Sequence, residues 1–170
     1  GSEMCIRDRI LSMKTTIFLG AMLSLLVCLM FTGCSNSETN STSRGLTDFA
    51  HIEEEYLATI DSLNWPDGIT LPDKLEDEDT GASFQVGYGE TRASYLWEYS
   101  WMKEWLDTYN TDPERAEKAL EELEKAFDMP YMGIDRCDDA TRNYLRENID
   151  KAKLGDPSGF TESIRANYAN

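Results

Sequence analysis

The sequence predicts an all-α fold, a compact bundle of four to five helices with one long irregular loop. Three observations indicate this class. Apolar residues recur every three or four positions along most of the chain after residue 46, which is the period of an amphipathic helix. Capping residues, prolines and glycines separate these segments. Only one short segment alternates in the manner of a strand, and a single strand cannot form a sheet.

The first predicted helix starts near Thr47 and ends before Pro66 and Gly68. Its apolar residues fall three or four positions apart and therefore share one side of the helix. They are Phe49, Ile52, Tyr56, Ile60 and Leu63. His51, the only histidine of the chain, falls nearly opposite this stripe, so we expect it to be solvated.

Residues 65–89 form the predicted loop, because they include two prolines, four glycines and a run of four acidic residues. Near its end, Phe84, Val86 and Tyr88 alternate with other residues, which is typical of one short extended stretch. We expect that stretch to have no partner strand.

The acidic run of this loop spans residues 76–79. It does not fit a calcium loop of the EF-hand type, because aligning Gly81 with the required glycine places Gly87 where the glutamate ligand belongs. We therefore predict no metal site here. A solvated loop is the expected structure, and weak cation binding is the alternative.

Residues 90–109 form the second predicted helix, whose large side chains cover about 200° of its circumference. These side chains are Tyr95, Trp97, Tyr99, Trp101, Met102, Trp105, Leu106 and Tyr109. Such a helix must be largely enclosed. Glu98 lies near the middle of this aromatic arc, where an ionised carboxylate is costly unless it is paired, hydrogen-bonded or protonated.

Different interpretations of Glu98 stay open. In the structural one, its carboxyl accepts hydrogen bonds from tyrosine or indole groups and pairs with an arginine, for which Arg142 is best placed. In the functional one, the carboxylate orients a sugar or a quaternary ammonium group among aromatic rings. The candidate ligand-binding residues are then Glu98, Trp97, Trp101, Trp105 and Tyr109. A catalytic acid would require a second carboxylate facing Glu98, and the sequence identifies none.

A surface helix is predicted over residues 111–127, with Thr111 or Asp112 as its N-cap and Pro113 in its first turn. Its apolar stripe is narrow and consists of Ala116, Ala119, Leu120, Leu123 and Phe127. Oppositely charged residues four positions apart stabilise such a helix. The expected pairs are Glu114 with Lys118 and Glu121 with Lys125. We expect this charged face to be solvated and not to form a site.

Two more helices follow a turn at residues 129–137. The first is capped by Asp138 or Asp139 and reaches Leu154, where Gly155 stops it. The second is short and carries apolar residues every four positions. They are Phe160, Ile164 and Tyr168.

An export pattern occupies the N-terminal residues. Residues 1–12 include GSEMCIRDRI, which resembles a translated sequencing adapter, so we exclude them and expect translation to begin at Met13. The alternative is a genuine extended n-region, for which Arg7 and Arg9 are suited. Within residues 13–33, Lys14 precedes an apolar run at residues 17–31 that is shorter than a comfortable bilayer span. This pattern is typical of a signal peptide.

The end of that segment, FTGC at residues 31–34, resembles the lipobox of bacterial lipoprotein precursors. The resemblance implies that the Cys34 thiol takes a diacylglyceryl group and that the chain is cut before it. Phe31 stands where that family usually has leucine. An uncleaved anchor helix is the alternative. Residues 34–45 then hold the lipidated cysteine and a flexible polar linker.

Residues 46–170 are predicted to form a single, strongly acidic helical domain. The chain has 16 basic and 32 acidic residues, of which three basic and two acidic residues precede Cys34, so the mature chain carries a net charge of −17. Such a field repels phosphate backbones and anionic lipid headgroups. We therefore expect no nucleic-acid partner and membrane contact through the lipid on Cys34. The alternative is that the negative charge has no specific partner and only keeps the protein soluble by repulsion between neighbouring molecules.

Few residues of the domain are suited to catalysis. Cys137 is its only cysteine, which excludes an internal disulfide and predicts a small buried residue. The sequence shows no nucleophile motif and no metal-ligand spacing, and its one histidine is expected on the solvated side of a helix. We expect no cofactor, no metal and no enzymatic activity.

Two segments of the domain are together similar to small exported proteins of Gram-positive bacteria. They are TRASYLWEYSWMKEWL at residues 91–106 and KLGDPSGFTESIRANYA at residues 153–169. The resemblance implies a compact helical domain at a cell surface and no particular activity.

Together these patterns predict a lipid-anchored, extracytoplasmic binding or interaction module on the outer face of the cell membrane. Its expected ligand is a cell-envelope glycan, a cationic small molecule or a protein partner. Two alternatives stay open. One is a structural envelope lipoprotein without a ligand pocket, and the other is a carboxylate-dependent hydrolase.

Overall fold

The computed structural model describes residues 45–76 and 78–168, and over these residues it confirms the all-α prediction. The described helices are α1 (Phe49–Ser62), α2 (Tyr88–Thr108), α3 (Pro113–Glu124), α4 (Asp139–Lys153) and α5 (Ser158–Asn167). Two short 3-10 helices, Lys125–Asp128 and Pro130–Met132, join α3 to α4. The interpretations of residues 1–44, including the signal peptide, Cys34 and most of the linker, lie outside the described residues, as does Asp77.

The prediction of a lone extended stretch was wrong. Strand β1 (Leu46–Thr47) pairs antiparallel with strand β2 (Phe84–Gln85), with Leu46 opposite Gln85 and Thr47 opposite Phe84. A two-residue strand is too short to show alternation, so β1 left no pattern in the sequence. Tyr88, expected in the extended stretch, is the first residue of α2.

Helix α1 begins where a side chain can cap it. The Asp48 carboxylate accepts a hydrogen bond from the His51 amide at 3.1 Å, so the helix starts at Phe49, two residues after the expected position. In the same way, Asp112 caps α3 and Asp138 caps α4, each by accepting from the amide three residues later. All three caps are local, and the sequence analysis named Asp112 and Asp138 among the candidate caps but not Asp48.

Helix α2 has a cap that comes from another helix. The Glu55 carboxylate, on α1, accepts hydrogen bonds from the amides of Gly87 at 2.7 Å and Gly89 at 3.2 Å. Gly87 turns the chain into α2 with a φ of +88°, which favours glycine. The carboxylate thus satisfies amides that the first turn of a helix leaves without partners. Helix α2 consequently begins two residues earlier than predicted.

Helix α2 is the centre of the bundle and packs on α1, α3 and α5. One core cluster joins α1 to the first turns of α2 and to Leu75 of the long loop. The larger cluster joins the tryptophans of α2 to α3, α4, α5 and the 3-10 helices. Because α2 contacts partners on opposite sides, its aromatic arc is enclosed, as its width predicts.

The crossing of α1 and α2 is close enough to require a glycine. A Cβ atom at Gly89 would lie 2.8 Å from the Ile52 carbonyl carbon, nearer still to its oxygen, and 2.9 Å from the Tyr56 amide nitrogen. All these atoms belong to the backbone of α1. The two helix backbones are therefore in direct contact at this position.

The long irregular loop, residues 63–83, is fastened to the helices. The Leu75 amide donates to the Glu53 carboxylate at 3.3 Å. Glu78 accepts from the Tyr88 hydroxyl at 2.8 Å and pairs with Arg92 at 3.3 Å. Glu78 is consequently half-buried, whereas the acidic run was expected to be solvated throughout.

Candidate functional site

The predicted ligand-binding tryptophans lie in the core. Trp97 and Trp101 are 1% exposed and Trp105 is 2% exposed. The Trp97 and Trp101 indoles both donate to the Asn64 carbonyl oxygen, at 2.8 Å and 3.1 Å. These two residues fix the chain that leaves α1 against α2, and neither side chain reaches a concave surface.

Glu98 is also sealed, with 7% of the residue exposed. Its Oε2 accepts a hydrogen bond from the Tyr131 hydroxyl at 2.7 Å. Tyr131 lies in the second 3-10 helix, so the bond joins α2 to the segment before α4. Burial raises the pKa of Glu98 to about 7, although the Tyr131 hydrogen bond acts to lower it.

The expected ion pair between Glu98 and Arg142 was wrong, while the expected tyrosine donor was right. Arg142 instead donates to the carbonyl oxygens of Met132 and Cys137 and pairs with Asp139. Asp139 is in the first turn of the same helix, so Arg142 finds carboxylate and carbonyl acceptors close to its own helix start. Within the described part of the chain, no cation pairs with Glu98.

Trp105 and Tyr109 are the two predicted site residues that reach a concavity. They line a groove of about 460 Å³ between α3 and the end of α4, which we call the α3–α4 groove. Its lining residues are Trp105, Tyr109, Pro113, Ala116, Glu117, Leu120, Glu121, Glu124, Ala152, Lys153 and Gly155. Small side chains at Ala116 and Ala152 leave space on the two helices that face each other there.

The floor of the α3–α4 groove is aromatic. The rings of Trp105 and Tyr109 stack with their centroids 4.6 Å apart and their planes 18° apart. Phe160 of α5 meets the indole edge-on at 5.3 Å and supports it from below. Tyr109 is half-buried, so part of its ring is accessible to a ligand.

The rim of the groove is acidic. Glu117, Glu121 and Glu124 lie at positions i, i+4 and i+7 of α3 and therefore follow one another along one side of the helix. Lys153 of α4 pairs with Glu124. Among residues 45–76 and 78–168, neither Glu117 nor Glu121 has an ion-pair partner.

The two pairs expected along α3 do not form. Lys125 pairs with Glu122 at 2.7 Å instead of with Glu121, because the Glu122 carboxylate is buried and therefore needs a counter-charge more than the exposed Glu121 does. The Lys118 ammonium lies 5.8 Å from the centre of the Trp101 ring instead of beside Glu114. Glu117, Glu121 and Glu124 are exposed, as predicted for a solvated face, but the prediction did not include the groove that they flank. The spacing of its three glutamates beside Ala116 and Leu120 was the available signal.

The other residues considered for chemistry lie apart from the groove lining. The His51 side chain is 47% exposed, as expected, with its Nε2 3.3 Å from the Glu55 carboxylate. Cys137 is half-buried, and its sulfur is 3.6 Å from that of Met132. In the described ranges, no group of three or more metal-ligating side chains is placed to hold an ion.

Neither the apolar character of the described helices nor similarity to known proteins assigns this chain to a class of protein. Of the helices that the structure describes, none is both long enough and apolar enough to cross a bilayer. Comparison with protein-family models, with curated proteins and with solved structures gave no match to this chain.

Proposed function

We propose that this protein is a lipid-anchored, extracytoplasmic binding module that takes a cationic small molecule in the α3–α4 groove. The observation that supports this function is the half-buried Tyr109 ring, which stacks on the buried Trp105 indole beside a rim of carboxylates. An aromatic face attracts a cation through its quadrupole, and a carboxylate next to it pairs with the same charge. A net charge of −16 for the whole chain raises the local concentration of such ligands.

The groove favours a cation over a neutral glycan for an electrostatic reason. Glu117 and Glu121 have no counter-charge among the described residues, while the Lys153 ammonium is already paired with Glu124. Both carboxylates are exposed, so a cationic ligand gains a charge-assisted contact with each of them. A neutral sugar would stack on Tyr109 without that gain.

Replacing Glu117 and Glu121 together by glutamine should weaken the binding of spermine by about tenfold or more, because two charge-assisted contacts of roughly 1 kcal/mol each are lost. Binding is measured by tryptophan fluorescence, for which Trp105 lies in the groove floor. Glu114→Gln with Glu147→Gln is the matched control, since both residues are exposed and lie outside the groove lining.

That control should bind spermine like the wild type. If spermine binding were weakened equally in the control, the loss would come from the lower net charge of the protein and not from the groove, which would contradict the proposal. Absence of saturable spermine binding by the wild type would also contradict it. A neutral disaccharide serves as the comparison ligand and is expected to give no saturable change.

The anchoring part of the proposal is tested at Cys34. The full chain, expressed in a bacterium, should incorporate labelled fatty acid and sediment with membranes, and Cys34→Ser should do neither. Cys28→Ser is the control, because this thiol falls within the apolar run of the signal segment and is not the lipobox cysteine. Labelling that persists in Cys34→Ser would overturn the anchoring.

A structural envelope lipoprotein is the second candidate function. The burial of Trp97, Trp101 and Glu98 favours it, because the most distinctive residues of the chain are used for packing. This candidate predicts that the wild type binds none of the cationic probes, so the spermine titration separates the two. The same burial argues against Glu98 as the acid of a hydrolase, since a catalytic acid must come within hydrogen-bond reach of its substrate and this carboxyl is buried against Tyr131.

A further inference from the structure

Glu98 is a buried titratable group that the α3–α4 groove does not use. Its carboxyl lies in the core of the bundle with a neutral hydroxyl as its hydrogen-bond donor. An ionised carboxylate in such a place lacks both water and a counter-charge, and both deficits favour the protonated form. The stability of the packing around Glu98 therefore depends on whether its carboxyl is protonated.

Two tyrosines from other elements interact with Glu98, namely Tyr131 of the second 3-10 helix and Tyr168 at the end of α5. Tyr95 and Tyr99 of α2 pack against the rings of these two tyrosines. Burial first, and then the nearby Glu98 carboxylate, raises the pKa of the Tyr131 and Tyr168 hydroxyls, so both stay protonated. Within the described part of the chain, Glu98 forms no ion pair, while Lys103 pairs with Asp107 and Arg142 with Asp139.

The same tyrosines hold the C-terminal part of the chain on α2. Tyr168 donates a hydrogen bond to the Tyr95 carbonyl oxygen at 3.3 Å, and its ring packs on Tyr99 with the centroids 4.8 Å apart. Tyr131 packs edge-on against Tyr95 with the centroids 5.5 Å apart. The second 3-10 helix and the residue that follows α5 thus both pack on α2.

We propose that Glu98 is a proton-controlled latch: its neutral form keeps α5 and the second 3-10 helix closed on α2, and its ionised form favours their local release. Release brings water to the carboxylate, which removes the cost of keeping the charge in the core. The short α5 and the three-residue 3-10 helix have the least structure of their own to lose. The argument for this latch does not require a ligand in the α3–α4 groove.

The sign of the pH dependence follows from the direction of the shift. Because the folded pKa, about 7, is higher than the ordinary value of 4.5, the folded state binds the proton more tightly. The stabilisation is complete below pH 4.5 and is lost as the pH rises towards 7. Between pH 5 and pH 8, the ratio of closed to opened chain should fall by about 10²-fold on account of this one group.

The test compares full-length wild type with Glu98→Gln, which keeps the shape and cannot ionise. Unfolding midpoints in urea are measured between about pH 5 and pH 8, and amide exchange of α5 is followed relative to α1. We expect the wild type to lose stability relative to Glu98→Gln as the pH rises, with faster relative exchange in α5. Wild-type and variant curves that run parallel would overturn the latch.

Tyr131→Phe gives a second, independent measurement. Removing the hydroxyl removes the contact that lowers the pKa of Glu98, so the wild-type transition should move to higher pH. Tyr144→Phe is the control, because this tyrosine is 40% exposed on α4, and it should leave the transition in place. If Glu98→Gln fails to fold, an unmoved transition in Tyr131→Phe still refutes the proposal.

Discussion

Gly89→Ala should destabilise the domain by about 3 kcal/mol or more, which makes it one of the two largest effects that we expect from single substitutions. The added methyl group would overlap the backbone of α1 at Ile52 and Tyr56. Backbone atoms in a helix cannot turn aside as a side chain can, so α1 and α2 must separate. Separation also strains the hydrogen bond from the Gly89 amide to Glu55.

Urea unfolding followed by circular dichroism measures this loss. Gly81→Ala is the matched control, because a Cβ there would lie 3.4 Å from the Asp79 side chain, an ordinary contact. The control should stay within about 0.5 kcal/mol of the wild type. A Gly89→Ala variant as stable as that control would show that the two helices do not cross as described.

Trp101→Ala should cost about 3–5 kcal/mol, as expected for a large aromatic side chain that is almost fully buried. Trp101→Phe should cost less, about 1–2 kcal/mol, since the Asn64 carbonyl oxygen keeps its hydrogen bond from Trp97. Both values are obtained from urea unfolding. Leu154→Ala, at a residue that is 87% exposed, is the control and should change little.

The Trp101→Phe variant also distinguishes a packing role from a binding role for Trp101. Because its side chain does not line the α3–α4 groove, Trp101→Phe should bind spermine as the wild type does. A variant of normal stability that lost binding would reverse this assignment and restore Trp101 as a ligand contact.

The sequence was sufficient for those parts of the fold that depend on neighbouring residues. The caps at Asp112 and Asp138 act on amides three residues away, and the width of the aromatic arc on α2 required its burial. The strand pair was missed because its two partners are two residues long and nearly forty residues apart. The early start of α2 was missed because its cap, Glu55, belongs to another helix.

The candidate site was only partly predictable, because it too depends on contacts between residues that are distant in the sequence. Helical periodicity placed Glu98 among aromatic rings, but its partner Tyr131 is 33 residues away in a segment predicted only as a turn. Trp105 and Tyr109 were identified, whereas Glu117 and Glu121 were correctly predicted to be exposed but not to flank a groove. A groove is formed by two helices together, and the periodicity of one helix does not show which part of its polar face another helix adjoins.

The capping of α2 by Glu55 also bears on how the domain folds. The first turn of α2 gains its amide acceptors only after α1 has docked, and α1 gains part of its apolar cover from α2 and the rest from the long loop. The two helices should therefore form and melt as one cooperative unit, in which closure of the intervening chain is an early entropic barrier. Helices α3 to α5 can then add to a nucleus whose axis is already set.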